Sequence, residues 1–270
     1  MNRISYTIIV GLFFLTSCKN ECRVVQEYYD NSKEKKVFIY PDCNDKTYYK
    51  QLNFYDNGQE SSEGYEKNGE MVGKFKSWAE NGNQTAEWEI LDGEEHGFIQ
   101  CWYDNGIKKR ETTLDRGIKN GKFKEWYENG KPICEGDYIK EKKVGTWKYW
   151  DKNGSWKIRN YKNDILQGPT LEHVIDSISI KLVSGQYLNG KEAGLWKWFD
   201  KDSVLSQTAI MTDGKYAGEF VRYYKDGKVK EKGNLVDGYY EGDLTHYDEK
   251  GNITKTEHYK NGMLQHNRKK

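Results

Sequence analysis

The residues that could do acid–base or metal chemistry are scattered along the chain. None of the five histidines stands at a zinc-binding spacing such as HExxH: they are His96, His173, His246, His258 and His266. Carboxylates are plentiful, among them Glu94 and Glu95, but they fall at predicted turns, where solvated charge is expected. No GxSxG, phosphate-binding loop or GxGxxG motif occurs. We therefore expect no enzyme, no metal and no cofactor.

The first 17 residues have the pattern of an export signal. Arg3 precedes an apolar stretch from Ile4 to Leu15, which at about a dozen residues is shorter than the roughly 20 that a bilayer requires. The closing Leu-Thr-Ser-Cys resembles the lipobox of bacterial lipoproteins, and the resemblance implies cleavage before Cys18 and lipidation of its thiol. Lys19 follows instead of an inner-membrane retention aspartate, so we expect an outer-membrane lipoprotein of the bacterial envelope.

Four cysteines remain after Cys18. Cys22 and Cys43 flank a weak first hairpin, and an oxidising compartment would permit a disulfide between them, although the sequence leaves this pairing open. Cys101 and Cys134 belong to predicted strands that stand three apart, a spacing of roughly 14 Å. This exceeds the about 7 Å between Cα atoms that a disulfide allows. We expect these two thiols to be free and packed.

Composition indicates a folded chain without a nucleic-acid footprint. Mean hydropathy is −1.01, yet aromatic residues make up 14% of the sequence. Such a content of Trp and Tyr supplies buried area that disordered chains lack. Lys plus Arg number 43 and Asp plus Glu number 42, and their charges are interspersed except in a basic tail at 266–270. No binding of nucleic acid is expected.

A repeat with a period close to 24 residues organises the chain. Each unit begins with a leading glycine, and we align units at Gly73, Gly97, Gly121, Gly145, Gly168, Gly194, Gly218 and Gly242, with partial units ending at Ser32 and Gly58. The second position after this glycine is apolar, with Leu171 aligned there in the degenerate unit near Gly168. The fifth position is aromatic except for Val174. An Asn-Gly or Asp-Gly type turn follows, and the returning segment ends in a second turn such as Leu188 to Gly190.

This pattern predicts an all-β fold: an elongated solenoid of stacked antiparallel hairpins. Frequent glycines and runs of Trp, Tyr, Phe and Thr disfavour helices. One hairpin cannot bury its aromatic face alone, so each unit must stack on the next and the end units should be atypical caps. We divide the chain into a signal peptide (1–17), a lipid-anchored segment with a degenerate cap hairpin (18–48), a repeat domain (49–265) and a basic tail (266–270).

Segments such as EGDYIKEKKVGTWKYWDKNG and KEKGNLVDGYYEGDLTHYDEKG resemble the bacterial variant of MORN repeats. The resemblance extends over nearly the whole exported chain and implies the same β-repeat fold. The Gly-x-Gly of the better-known MORN form is replaced here by Gly-x-aromatic or Gly-x-apolar, which weakens transfer of a lipid-binding role. Some bacterial proteins of this type carry an antitoxin label, but a lipidated export signal fits poorly with neutralising a cytoplasmic toxin.

Two rows of side chains are candidates for binding. The second and fifth positions differ by three residues, so strand alternation places them on opposite faces. The second row should be core. The fifth row is either core or the lining of an open groove, and it consists of Trp78, Trp102, Trp126, Trp150, Phe199, Tyr223 and Tyr247. The fourth position varies most and is where specificity would reside, so we add to the candidate groove its members Tyr149, Trp198 and Arg222; His173 is aligned at this position too.

We expect a non-catalytic envelope lipoprotein that is held to the membrane through Cys18 and binds a protein partner through its repeat surface. Glycan or cell-wall binding by the aromatic row is the alternative. An antitoxin or immunity role is a weaker alternative.

Overall fold

The computed structural model describes residues 21–176 and 180–265. The predicted signal peptide, Cys18, His266 and the basic tail lie outside these residues. All regular secondary structure in the described ranges is β. The strands are β1 (Cys22–Tyr28), β2 (Glu34–Tyr40), β3 (Tyr48–Phe54), β4 (Glu60–Lys67), β5 (Glu70–Trp78), β6 (Gln84–Leu91), β7 (Glu94–Trp102), β8 (Lys108–Asp115), β9 (Ile118–Trp126), β10 (Pro132–Ile139), β11 (Lys142–Trp150), β12 (Trp156–Lys162), β13 (Ile165–Leu166), β14 (Gly168–Ile175), β15 (Ile180–Leu188), β16 (Lys191–Phe199), β17 (Leu205–Thr212), β18 (Lys215–Tyr223), β19 (Val229–Val236), β20 (Tyr239–Tyr240), β21 (Gly242–Tyr247), β22 (Ile253–Lys260) and β23 (Met263–Leu264).

The strands form one open antiparallel sheet in which neighbours in sequence are neighbours in space. Each strand from β1 to β12 pairs with the next, and the same order continues to the end of the sheet. Two interruptions occur, where β12 pairs with both β13 and β14 and β19 pairs with both β20 and β21. The predicted all-β stack of antiparallel hairpins is confirmed.

Two kinds of turn alternate along the sheet, as the repeat predicts. The first follows the fifth position: the Gly58 N–H donates to Tyr55 O at 2.9 Å, and Gly58 has a φ of 91°. The second is a two-residue turn with both residues left-handed, as at Asn68 (φ 54°) and Gly69 (φ 85°). This is the geometry of a type I′ hairpin turn, whose twist matches that of the strands it joins.

We call the face that carries the second-position side chains the core face. These residues are buried in seven units: Phe75, Ile99, Phe123, Trp147, Trp196, Phe220 and Leu244. Beneath each ring lies a small residue, which stands nine positions before the leading glycine of the unit. A Cβ added to Gly136 would lie 2.2 Å from the Trp147 ring, and one added to Gly185 would lie 2.2 Å from Trp196. The core is therefore built from large rings packed flat over small residues.

Tyrosines and asparagines join each unit to the next on the side of the first turns. The Tyr55 hydroxyl donates to Trp78 O at 2.9 Å, and equivalent bonds are made by Tyr29, Tyr103, Tyr127 and Tyr224. The Asn81 amide donates to Asp104 O at 2.7 Å, and Asn31, Asn57, Asn105 and Asn153 do the same in their units. These bonds bridge residues 22 to 25 apart in sequence and fix the stacking of the units.

The alignment of Leu171 with the second position and of His173 with the fourth is wrong. Thr170, which is 5% exposed, lies directly opposite Gly185 on the core face, so Thr170 holds the second position. Glu172 consequently takes the fourth position, and His173, not Val174, takes the fifth, where it stacks on Trp156. The physical reason is a missing bulge. Most hairpins carry a register shift near the fifth position, but β11 and β12 pair without one, and the unit is one residue shorter than the period.

The N-terminal end of the sheet is held by a disulfide between Cys22 and Cys43, with their Cα atoms 5.2 Å apart. The bond connects β1 to the loop between β2 and β3. Beside it, Arg23 makes a bidentate ion pair with Glu34. Cys101 and Cys134 are free thiols, the first half-buried and the second buried.

Candidate binding faces of the sheet

The ten residues predicted for the groove lie on two faces. Residues two apart on a strand share a face, so the fourth position lies on the core face beside the second position, whereas the fifth lies on the opposite face. Tyr149, Trp198 and Arg222 are thus on the core face, and the seven aromatic residues of the fifth row are on the other. A single groove cannot contain all ten. The sequence spacing already indicates this division, because positions two and four are two residues apart and therefore share a face.

The fourth positions belong to a continuous row that crosses the sheet. Cα pairing runs without a gap through Ser77, Ala86, Cys101, Arg110, Glu125, Cys134 and Tyr149. The row therefore changes from small side chains, through charged ones, to aromatic ones within seven adjacent strands. A partner lying across the strands would meet each of these chemistries in turn.

The aromatic part of the row is a closed cluster. The Tyr149 ring packs on Trp147 with ring centroids 5.9 Å apart, and its hydroxyl lies 3.1 Å from that of Tyr161. Lys143 Nζ donates to the Tyr149 hydroxyl at 3.0 Å and lies 4.5 Å from the Trp147 ring centroid. Burial, with the hydrogen bond to Tyr161, raises the pKa of Tyr149. In this cluster the chain's own side chains pack on one another.

The C-terminal part of the core face is charged. Arg159 and Glu172 form an ion pair of 2.8 Å, and His246 Nε2 lies 2.9 Å from Glu257. Arg222 lies 3.4 Å from Glu231, which is 8% exposed. Two hydrogen bonds hold the pKa of Glu257 below its ordinary value: one from Lys255, which has the larger effect, and one from His246. Because carboxylates and cations are paired here, this end of the face offers polar rather than apolar contacts.

The opposite face carries a ladder of alternating charge. Lys148 lies 2.9 Å from Glu135, and Lys124 lies 3.8 Å from the same carboxylate. Exposed pairs of this kind are each worth about 0–1 kcal/mol. The fifth-position aromatic residues flank this ladder and are all half-buried. Such rings retain exposed surface on which a sugar or an aliphatic chain can stack.

Metal-binding and thiol chemistry can be checked among the described residues. Within ranges 21–176 and 180–265, no three His, Cys, Asp or Glu side chains are grouped to hold a metal ion. Burial raises the pKa of the Cys134 thiol to about 11, which keeps it protonated and unreactive at neutral pH. The part of the chain that the structure describes has no helix of the length and apolarity needed to cross a bilayer.

Comparison with known proteins identifies the repeat. No curated protein matches the chain in sequence. Among solved structures it is similar to a chain of the "Crystal Structure of TcdB2-TccC3-Cdc42", with 11% identity and a TM-score of 0.15. That match covers 88% of this chain and only 18% of the other.

The family model described as MORN repeat variant matches residues 119–140, 217–237 and 240–261. Each matched segment contains a first turn with the strands on both sides of it, for example β9 and β10. At these three hairpin units, the chain carries the MORN repeat variant.

Proposed function

We propose that this chain is a non-catalytic scaffold of the bacterial envelope that binds a protein partner through its core face. The observation that carries the proposal is the fourth-position row, where small, charged and aromatic side chains stand side by side on a rigid hydrogen-bonded sheet. A regular backbone with varied side chains suits recognition of one extended surface, as in other repeat proteins.

The predicted export signal supports an envelope location. In this proposal the lipid on Cys18 holds the chain at the outer membrane, and the short segment before β1 connects the anchor to the sheet. The partner then approaches a surface that is tethered close to the membrane.

A matched pair of charge reversals tests the proposal. Glu125 and Lys124 are adjacent, lie on opposite faces and are both accessible. The lipidated full chain and its Glu125→Lys and Lys124→Glu variants would each be used to capture partners from gently solubilised envelopes. We expect a protein that the wild type and Lys124→Glu recover and that Glu125→Lys recovers poorly. Recovery of no protein by any of the three would contradict a scaffold role.

Glycan binding by the fifth-position row is a second candidate, favoured by the half-buried aromatic rings on the opposite face. A glycan array with the soluble chain from Glu21 onward would test it, with Trp102→Ala and Trp126→Ala as the variants that should lose signal. If the chain binds no glycan above background, the glycan-binding function is excluded. An antitoxin or immunity role is weaker and requires a toxin gene beside this one.

A further inference from the structure

A trough of about 460 Å³ opens on the core face over strands β5 to β9. Three small residues face one another across β5, β6 and β7 on one side of it: Ser77, Ala86 and Cys101. Trp88, Ile99 and Leu114 supply its apolar walls. A depression of this size falls in the range of small-ligand pockets in proteins, about 300–1,000 Å³.

Other units show what kind of group fits this place. The fourth position holds Tyr149 over Trp147, with ring centroids 5.9 Å apart and planes inclined by 24°. It holds Trp198 over Trp196, at 6.2 Å and 33°. In the trough the same position is occupied by Ser77 and Cys101. The trough is therefore the room that an aromatic ring takes elsewhere in the same sheet.

Two polar groups at the trough are left without partners in the described chain. Thr112 lines it and is 4% exposed, yet its Oγ1 makes no hydrogen bond there. A buried unsatisfied hydroxyl costs about 1–3 kcal/mol. The Arg110 guanidinium lies at one end with no carboxylate within ion-pair distance among the described residues, while Lys119 and Glu141 at the other end pair with each other at 3.0 Å.

We propose that the trough receives an aromatic side chain of a partner protein, Trp or Tyr, with an acidic group beside the ring that contacts Arg110. The inference rests on the proposed protein-binding function and names the chemistry of the partner at one site. Trp, Tyr and Arg are enriched among the residues that contribute most of the binding energy in protein interfaces, and such residues lie in well-packed pockets. Arg110 can hold a carboxylate with two hydrogen bonds or lie over the ring.

Alkylation of Cys101 reports occupancy directly, because its half-buried thiol lines the trough. The full chain would be treated with iodoacetamide and the rate at Cys101 followed by mass spectrometry, while buried Cys134 should stay unmodified and so report that the chain remains folded. The probes are N-acetyl-L-tryptophan, its amide and N-acetyl-L-leucine. We expect about 10 mM N-acetyl-L-tryptophan to slow Cys101 alkylation roughly threefold, which corresponds to a Kd of about 5 mM by mass action. The leucine probe should have little effect.

The amide should protect less than the acid in the wild type, and Arg110→Gln should remove this difference. If the tryptophan and leucine probes protect Cys101 of the wild-type chain equally, or if neither protects it, the inference is overturned. This outcome differs from failure of the proposed function, which the Glu125 and Lys124 variants decide separately.

A pair of tyrosine substitutions supplies the control. Ser77→Tyr places in the trough the ring that Tyr149 supplies in its own unit, so Cys101 should react slowly without a probe and the probe should add nothing. Lys76→Tyr introduces the same ring one residue earlier, on the opposite face, and should behave like the wild type. If Cys101 of Ser77→Tyr reacts at the wild-type rate and is still protected by N-acetyl-L-tryptophan, the trough is not the binding place.

Discussion

At the scale of residues, the core depends on a match in size between rings and the small side chains beneath them. The largest rings, Trp147 and Trp196, lie over glycines. Phe123 lies opposite Thr112, and Phe220 lies opposite Ala209. The two partners come from different strands, so the match is a tertiary property. The sequence predicts the buried second position, but only the pairing register shows which residue lies beneath each ring.

Gly136→Ala tests this match. Its methyl group would meet the Trp147 ring at 2.2 Å, and we expect a loss of about 1–3 kcal/mol of stability from overpacking. Adding Trp147→Phe should recover part of the loss, because Ala209 and Phe220 already coexist in an equivalent pair. Hydrogen exchange of β10 and β11 in the two single variants and the double variant measures the coupling. Additive losses in the double variant would show that the ring and the glycine are not matched.

The two core tryptophans should respond differently to replacement by Phe. Trp147 Nε1 donates to Asp137 O at 3.1 Å, whereas Trp196 Nε1 is buried without a partner in the described chain. Both changes remove similar volume, but only Trp147→Phe breaks a hydrogen bond. We therefore expect Trp147→Phe to cost about 1 kcal/mol more than Trp196→Phe. Hydrogen exchange of the hairpins around the two rings measures the difference, and equal losses of protection would count against a role for the indole hydrogen bond.

At the scale of elements, each hairpin is defined by its two turns. Seven first turns place a glycine in the left-handed region: Gly58, Gly82, Gly106, Gly130, Gly154, Gly227 and Gly251. The turn after β16 has Ser203 there instead, with a φ of 60°. Non-glycine residues pay about 1–2 kcal/mol for this conformation.

Ser203→Gly should therefore stabilise the chain, by about 1 kcal/mol. The matched reverse change is Gly227→Ser, at a turn where an added Cβ has open space but φ is 83°. It should destabilise by a similar amount. Hydrogen exchange on the flanking hairpins is the appropriate measurement, since long repeat arrays need not unfold in one step. A neutral result for both variants would mean that these turns do not limit hairpin stability.

Hairpins were predictable from sequence because turn residues and aromatic positions recur in phase. The alignment failed where that phase changed: β12 lacks the bulge that most returning strands have, so counting by a fixed period displaced Leu171 and His173 by one residue. The trough was not predictable either. Ser77, Ala86 and Cys101 are unremarkable in sequence and form a depression only because pairing brings them together on one face.

At the scale of the whole molecule, the sheet is open and its two ends carry carboxylates with lowered pKa values. A hydrogen bond from Arg23 lowers the pKa of Glu34 in β2. The pKa of Glu257 in β22 is lowered by a hydrogen bond from Lys255, which has the larger effect, and by one from His246. The stability that these pairs provide is complete above the ordinary carboxyl value of about 4.5 and is lost as pH falls through the lower folded pKa. In β16, by contrast, burial raises the pKa of the Glu192 carboxyl, so protonation of this group does not remove stability from that strand.

Acidification from pH 5 to pH 3 should thus loosen the two ends first. Hydrogen exchange would show loss of protection in β1 and β2 and in β21 and β22 while β16 remains protected. Glu34→Gln should weaken the pH dependence at the N-terminal end alone, and Glu257→Gln at the other end alone. Loss of protection that begins in β16 would contradict this assignment.

Photo-crosslinking in intact cells tests most directly whether the core face binds protein. A benzophenone amino acid would replace Glu125 or Arg222 on the core face, or Lys124 on the opposite face, in the full lipidated chain. We predict a discrete protein adduct from Glu125 and Arg222 and none from Lys124. An adduct from Lys124 alone, or from none of the three positions, would contradict a partner bound to the core face.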